Sequence, residues 1–292
     1  MNYKSNIILS ENQYKVIGTR PIRHDGVDKV TGRAIYGADI NIPQLIYGKI
    51  LRSPHAHARI ISINVDKLLS NPLIEAIVTY SDLPDMKAKH ENSSLQYLRD
   101  NVIASDKVLY RGQPVVAVAS KNPHDAEEAL NLIEVEYEVL KPVTTAYESL
   151  YENPTVIHKD LNTNKNYPSI TNPGNVASHT RHTLGNINVG FDESDVIVEK
   201  EFHTKTVHQG YIEPHNATAF WNKDGRITIW RSTQGPFEVR ETMAKILNID
   251  ESLIKIIPLE IGGGFGGKFD PYGDPVAALL SKKSGKPVKI IM

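Results

Sequence analysis

The chain has 292 residues, with 33 Lys and Arg against 34 Asp and Glu, no Cys, and 40% hydrophobic residues. At roughly 150 residues per domain, this length predicts about two domains. The net charge of −1 argues against nucleic-acid binding, which needs a basic surface to neutralise phosphates. The absence of Cys excludes disulfides, a thiol nucleophile, and iron–sulfur or zinc sites held by cysteines of this chain.

The first 19 residues predict a flexible lead-in, because they are mostly polar and lack periodicity. Their one apolar run, Ile7 to Leu9, is too short for a signal-peptide core or a membrane span. We therefore expect a soluble, cytoplasmic protein with no membrane association.

Residues 20–145 predict a mixed α+β domain. Asn122 is a suitable N-cap before Pro123, and an apolar stripe at helical spacing follows as far as Ile133. The predicted strands are Ile46–Arg52, Arg59–Val65, Ile74–Tyr80, two within Val108–Ser120, and Ile133–Leu140.

Residues 146–190 predict a linker, since Asn, Thr, Ser, Pro and Gly replace the apolar periodicity. Residues 191–292 then predict a second α+β unit. Its predicted strands are Val196–Thr206, Ala217–Trp221, Arg226–Arg231, Leu253–Ile261 and Val288–Met292. Its predicted helices are Phe237–Leu247 and a helix from Asp274 through Leu280 that ends by Gly285.

A glycine-rich loop occupies residues 262–268, with the sequence Gly-Gly-Gly-Phe-Gly-Gly-Lys. Five glycines let the backbone approach a ligand closely and present several N–H groups. Gly262, Gly264 and Gly267 fit the dinucleotide-binding pattern G-x-G-x-x-G. However, the acidic ribose ligand expected about 20 residues later is missing from Ser284–Met292.

Two other interpretations of this loop remain open from the residues alone. Gly262, Gly267 and Lys268 fit the phosphate-loop pattern, but Phe269 stands where a Ser or Thr hydroxyl must hold Mg²⁺. Alternatively, the loop is a structural turn that lets a helix pack closely on a strand.

The histidines predict no metal site. His55 and His57 have the spacing of ligands on one strand face, but without a third donor nearby we expect them to be surface or hydrogen-bonded residues. His203, His208 and His215 match no zinc pattern. Gln234 lies between a predicted strand and a helix N-terminus, where its amide can donate to and accept from an oxygen-rich group.

Seven segments together resemble the molybdenum-binding large subunit of the xanthine dehydrogenase and aldehyde oxidase family, which includes carbon monoxide dehydrogenase and 4-hydroxybenzoyl-CoA reductase. These segments are Arg23–Gly32, Tyr36–Ile40, Arg52–Ile60, Val108–Val115, Gln209–Pro214, Thr233–Pro236 and Ile261–Lys268. The resemblance implies an α/β hammerhead domain followed by the truncated first part of a molybdenum-cofactor-binding α+β domain, which starts at about residue 191.

The resemblance also implies roles for residues near the glycine loop. Gln234 would hydrogen-bond an oxo ligand of molybdenum, and Gly263, Gly264, Phe265 and Gly266 would pack beside the cofactor with N–H groups directed at it. The cofactor would be molybdopterin, with the cytosine dinucleotide form as one option. The pterin's own sulfurs hold the metal in this family, so no Cys is needed here.

The family's catalytic glutamate lies beyond Met292, so no catalytic residue is assigned within this chain. The resemblance implies iron–sulfur and FAD partner subunits, a small-molecule substrate, and a missing C-terminal half of the molybdenum domain. Phe269 stands where purine-specific members carry a glutamate, which favours aldehydes, aromatic CoA thioesters or other N-heterocycles over xanthine. We expect the isolated chain neither to retain the cofactor nor to hydroxylate a substrate. A non-catalytic assembly or binding protein is the competing hypothesis.

Overall fold

The structure is a computed structural model, and it describes residues 14–17, 19–85, 93–150, 154–158 and 173–292. Most of the predicted lead-in and part of the predicted linker lie outside these ranges. The chain divides into two compact units, one up to Ile35 and one from Tyr36 to Met292. In the first unit, helix α1 (Gly26–Thr31) ends at Gly32, whose φ of 73° gives it the left-handed conformation common at helix C-termini.

The second unit contains the strands. They are β1 Ile46–Arg52, β2 Ala58–Asn64, β3 Ile74–Val78, β4 Lys107–Val108, β5 Pro114–Ser120, β6 Glu134–Val139, β7 Asn216–Trp221, β8 Ile227–Arg231, β9 Ile254–Pro258 and β10 Val288–Ile291. Its α-helices are α2 Asp66–Leu69, α3 Ser93–Val102, α4 Pro123–Ala129, α5 Ala146–Leu150, α6 Ile187–Asp192, α7 Pro236–Leu247 and α8 Asp274–Ser284. Within the part of the chain that the structure describes, no helix is long and apolar enough to cross a lipid bilayer.

Seven strands form one mixed sheet in the order β3-β5-β1-β10-β7-β8-β9. Strand β1 runs parallel to β10, with Ile46 opposite Val288, so strands from both ends of the second unit share this sheet. All seven residues of β5 are buried, as expected for a strand covered on both faces. A smaller sheet has the order β4-β2-β6.

Helices α7 and α8 fix the segments that border the glycine loop. Both begin with Pro in the first turn, where no N–H is needed, and α8 ends at Gly285 with φ of 69°. Residues 274–281 of α8 are buried, and the helix packs along β7 and β3. A buried ion pair of 3.0 Å between Arg231 Nη1 and Asp274 Oδ2 joins the end of β8 to the start of α8.

The α+β fold class is confirmed, and most predicted strands and helices occur within a few residues of their expected positions. The predicted strand over Val196–Thr206 is wrong, because this segment is exposed and lies in no sheet of the described residues. Alternating apolar residues favour a strand, but a strand forms only when another strand satisfies its backbone hydrogen bonds. Helix α3 has no counterpart among the predicted elements, since its sequence is mostly polar.

Candidate functional site

The glycine-rich loop follows β9 and precedes α8, and its backbone adopts conformations that most residues avoid. Gly263 and Gly266 have φ of 97° and 88°, which glycine adopts without a steric penalty. Phe265 has φ of 48°, in the left-handed region that costs a non-glycine residue roughly 1–2 kcal/mol. Its side chain is 73% exposed, so its own apolar contacts do not explain this strained conformation. Strain of this kind is concentrated at functional sites.

Gln234 caps this loop from the segment between β8 and α7. The N–H groups of Gly266 and Lys268 donate to Gln234 Oε1 at 3.1 and 3.2 Å. Only the oxygen of the side-chain amide can accept these bonds, so the orientation of the amide is fixed. The Nε2 group has no hydrogen-bond partner among the described residues and keeps its donor capacity.

Gln234 also packs closely against the loop backbone. A Cβ atom on Gly264 would lie 2.5 Å from Gln234 Oε1, closer than real contacts allow. The adjoining residues add a second attachment, because Thr233 Oγ1 and the Gln234 N–H both donate to the Lys268 carbonyl, at 3.1 and 3.0 Å. The end of the loop is therefore held by side-chain and backbone bonds from the same two residues.

Glu213 holds the other side of the loop through a buried ion pair. Lys268 is fully buried, and its Nζ lies 2.8 Å from Glu213 Oε2. The same oxygen accepts the Gly262 N–H at 2.7 Å, and Glu213 Oε1 accepts from Asn216 Nδ2 at 3.1 Å and the Gly37 N–H at 3.3 Å. Burial alone raises the pKa of Glu213, but the bonds from Lys268 and Gly262 outweigh it and leave the pKa below its usual range. The carboxylate therefore stays ionised.

An aromatic cluster packs beside this ion pair. Tyr211 Oη and His215 Nε2 are 2.6 Å apart, and the His215 ring lies 4.4 Å from that of Tyr272. The Tyr211 ring also faces Lys268 Nζ at 4.9 Å. Burial, with the positive charges of Arg231 and Lys268, lowers the pKa of His215 to about 4. His215 is therefore neutral at neutral pH.

The geometry fits neither nucleotide-binding interpretation. Lys268 is buried in its ion pair with Glu213, whereas a phosphate-loop lysine must reach the ligand. Helix α8 begins at Asp274, several residues after Gly267, whereas the glycines of a dinucleotide site open the helix directly.

The histidines near β2 lie apart from this loop. His57 is buried and its Nδ1 lies 2.7 Å from the Lys141 carbonyl oxygen, while the His55 ring packs edge-on against Tyr137. Within the described ranges, no three His, Asp or Glu side chains come together as a metal site.

The structure thus places Gln234, Gly264 and Gly266 in direct contact, and Gly263 and Phe265 lie in the same loop. Sequence reasoning gives no role to Glu213 or Thr233, and it does not foresee that Lys268 is buried. No local pattern marks the pairing of Glu213 with Lys268, since the two residues are far apart in the chain.

Comparison with known proteins identifies both parts of the chain. Residues 31–141 match the family described as aldehyde oxidase and xanthine dehydrogenase, a/b hammerhead domain. Residues 169–292 match the molybdopterin cofactor-binding domain family. The fold and loop therefore define a hammerhead domain joined to a molybdopterin-binding domain. The chain belongs to the xanthine dehydrogenase and aldehyde oxidase family of molybdenum-binding subunits.

The relatives extend this similarity over nearly the whole chain. The chain is 33% identical over 269 residues to a probable xanthine dehydrogenase subunit of Bacillus subtilis, covering 92% of this chain and 34% of the relative. It is 30% identical to the nicotinate dehydrogenase large molybdopterin subunit of Eubacterium barkeri, covering 95% of this chain and 61% of the relative. The crystal structure of quinoline 2-oxidoreductase from Pseudomonas putida 86 aligns with a TM-score of 0.79 at 30% identity, covering 96% of this chain and 35% of that one. The chain thus spans about a third of the length of the first and third relatives.

Proposed function

We propose that this chain forms the N-terminal part of the molybdenum-binding subunit of a molybdenum hydroxylase-type oxidoreductase. In this proposal it works with the rest of that subunit and with iron–sulfur and FAD partner subunits. The names of the relatives support the proposal, since each of the two sequence relatives is a dehydrogenase subunit and one is called a molybdopterin subunit.

The orientation of Gln234 is the observation that carries the proposal. Its Oε1 is occupied by two N–H groups of the glycine loop, so the group left for a ligand is the Nε2 donor. A donor is what an oxo ligand requires, because oxo groups accept hydrogen bonds and cannot donate them. The side chain of Gln234 therefore has the polarity that the expected role needs.

The loop backbone also fits an anionic pterin cofactor. The N–H groups of Gly262, Gly266, Gly267 and Lys268 all donate within the protein. Those of Gly263, Gly264 and Phe265 donate to no protein group among the described residues. Three successive uncommitted donors on a backbone with positive φ angles suit a negatively charged ligand.

The molybdenum cofactor, when bound, supplies the two-electron redox chemistry by which this family hydroxylates its substrates. The residues of this chain bind the cofactor and orient it. Gln234 donates from Nε2, and the loop glycines allow close approach of the backbone. Glu213, Lys268 and Thr233 fix the position of the loop. We assign no general base to this chain.

We further propose that the substrate is an aldehyde, an aromatic CoA thioester or an N-heterocycle other than xanthine. Phe269 follows the loop and is 44% exposed, and an apolar ring cannot replace a carboxylate in orienting a purine. The cytosine dinucleotide form of the cofactor is a candidate, and chromatography of the nucleotide released by acid hydrolysis identifies the form.

The test is reconstitution with a complementary fragment, which we define as the two-thirds of the Bacillus subtilis relative that this chain does not match. The two polypeptides are co-expressed with iron–sulfur and FAD subunits, and electron transfer to a dye is measured with each substrate class and with xanthine. Oxidation of one class but not xanthine supports the proposal. A molybdenum-loaded complex that oxidises none of them would favour the non-catalytic alternative.

A further inference from the structure

An exposed segment before β7 has the residue pattern of a strand but lies in no sheet. Every residue from 177 to 210 is exposed. Nine large apolar side chains are exposed within this range: Leu184, Ile187, Val189, Phe191, Val196, Ile197, Val198, Phe202 and Val207. Isolated exposed apolar residues are ordinary, but nine within one exposed segment indicate an interaction surface.

Residues 195–207, which we call the arm, carry the clearest strand pattern. Charged or imidazole side chains occupy successive odd positions at Glu199, Glu201, His203 and Lys205. The even positions are mostly apolar or neutral, with Val196, Val198, Phe202, Thr204 and Thr206, and are interrupted only by Lys200. Over residues 198–206 this alternation is the pattern of a strand with one buried and one solvated face, while Ile197 and Val207 add apolar side chains at odd positions on either side of it.

The two side-chain contacts within the arm follow the same alternation. Lys200 Nζ lies 5.6 Å from the centre of the Phe202 ring, and His203 Nε2 lies 2.9 Å from Glu201 Oε1. Each contact joins a residue to the second residue after it. Both contacts therefore join residues of the same parity, as the side chains on one face of a strand do.

The backbone of the arm is also unpaired. Among the residues that the structure describes, no backbone hydrogen bond joins residues 195–207 to a strand. A row of free N–H and C=O groups beside exposed apolar side chains is a template for another strand.

The matched families and the lengths of the relatives indicate what covers the arm. The arm lies inside the region that matches the molybdopterin cofactor-binding domain, so it belongs to that domain. This chain spans about a third of the Bacillus subtilis relative and of the quinoline oxidoreductase chain. Two-thirds of each relative thus lies outside the matched region and can supply a partner strand.

We propose that the arm pairs as a β-strand with a strand from the part of the large subunit that lies outside this chain, with Phe202 and Val198 facing the shared core. This inference rests on the proposed function. It adds the segment through which the two parts of the molybdenum-binding subunit join.

Hydrogen–deuterium exchange tests the inference on the full chain, alone and co-expressed with the complementary fragment defined above. Alone, the arm amides should exchange without protection. In the complex they should exchange about a hundredfold more slowly or slower still, because strand pairing protects them. Failure of the two polypeptides to associate, or association that leaves the arm unprotected, would overturn the inference. Protection of the arm in a dimer of this chain alone would assign it to a second copy and also overturn it.

Substitutions at two neighbouring residues test which face of the arm is buried in the complex. Phe202→Lys places an ammonium group on the face expected to be buried and should weaken association about tenfold or more. His203→Lys introduces the same side chain on the opposite face and should change affinity by less than about twofold. Equal effects of the two substitutions would contradict strand pairing in this orientation.

Molybdenum content, measured in the same complex, separates this inference from the proposed function. A protected arm in a complex without molybdenum supports strand pairing and counts against the cofactor role. A molybdenum-loaded complex with an exposed arm supports the cofactor role and overturns strand pairing.

Discussion

Glu213 Oε2 contacts both ends of the glycine-rich loop. It accepts the N–H of Gly262, the first residue of the loop, at 2.7 Å, and it pairs with Nζ of Lys268, the last residue, at 2.8 Å. A single carboxylate oxygen thus closes the loop from a separate segment of the chain. This arrangement lets Gly263, Gly264 and Phe265 keep uncommitted N–H groups while the loop retains a defined shape.

Removing the cation of this pair should destabilise the protein strongly. Lys268→Met leaves Glu213 largely buried without its cation and should lower the free energy of unfolding by about 3 kcal/mol, as expected when a buried pair is broken. The double substitution Glu213→Gln with Lys268→Met should cost less than the sum of the single changes. Urea denaturation measures all three variants.

A surface pair provides the control for this prediction. Lys245 and Glu241 are i,i+4 neighbours on α7 with about half of each side chain exposed. Lys245→Met should change the free energy of unfolding by no more than about 0.5 kcal/mol. Similar losses for Lys245→Met and Lys268→Met would show that burial of the loop pair has no special importance.

His215 should make the stability of the protein depend on pH in the acid range. Its pKa is about 4 in the folded chain against 6.5 for an unperturbed histidine, so the unfolded state binds the proton more readily. The contribution of the neutral ring to the free energy of unfolding is complete above about pH 6.5. It is lost as the pH falls towards 4. Because the ring is partly exposed, we expect a loss of about 1 kcal/mol.

His215→Gln isolates this contribution, since glutamine keeps a polar partner for Tyr211 but does not titrate. Urea midpoints are measured for both proteins from pH 4 to pH 8. The stability of the wild type relative to the variant should fall below pH 6.5 and stay constant above pH 7. A constant difference across the whole range would contradict a neutral, half-buried His215.

A side chain at Gly264 should displace Gln234. Gly264→Ala places Cβ at 2.5 Å from Gln234 Oε1 and should lower the free energy of unfolding by about 1–3 kcal/mol. Gly190→Ala is the control, because Gly190 lies in α6 with nothing within 4 Å of its added Cβ, and alanine there should stabilise slightly. Thermal unfolding compares the two variants, and equal melting temperatures would contradict the close contact at Gly264.

The two ends of the Gln234 amide can be tested separately. Gln234→Glu keeps an oxygen for the Gly266 and Lys268 amides but removes the Nε2 donor and adds a negative charge. We expect little change in thermal stability but a loss of roughly tenfold or more in cofactor affinity, because a hydrogen bond to a charged or strongly polar group is lost. Gln234→Leu should reduce both the thermal stability and the cofactor affinity. Unchanged molybdenum content in the Glu variant of the reconstituted complex would exclude Nε2 as a ligand donor.

The elements that the sequence predicts correctly have local signals. Helix α8 follows from Pro275 in its first turn and Gly285 after its last, and the buried strand β5 follows from its continuous apolar run. The glycine loop and Gln234 also carry local signals that mark them as candidates. Their hydrogen bond depends on the crossing of two distant segments, which no local pattern contains.

Two of the failures have the same physical origin. The segment 196–206 alternates as a strand should, but pairing is a property of two strands, and no described residue supplies the second one. The buried state of Lys268 depends on Glu213, and lysine is rarely buried without such a partner. Both features concern a contact between segments that are far apart in sequence, whereas helix α3 is missed because its own sequence is mostly polar.

Molybdenum content per chain, measured by mass spectrometry of the metal, tests the central claim most directly. The isolated chain and its complex with the complementary fragment are purified under identical conditions. The proposed function predicts a negligible molybdenum content in the isolated chain and about one molybdenum per complex, reduced by Gln234→Glu. Stoichiometric molybdenum in the isolated chain, or a folded complex without molybdenum, would contradict the claim that this loop completes its cofactor site only with the rest of the subunit.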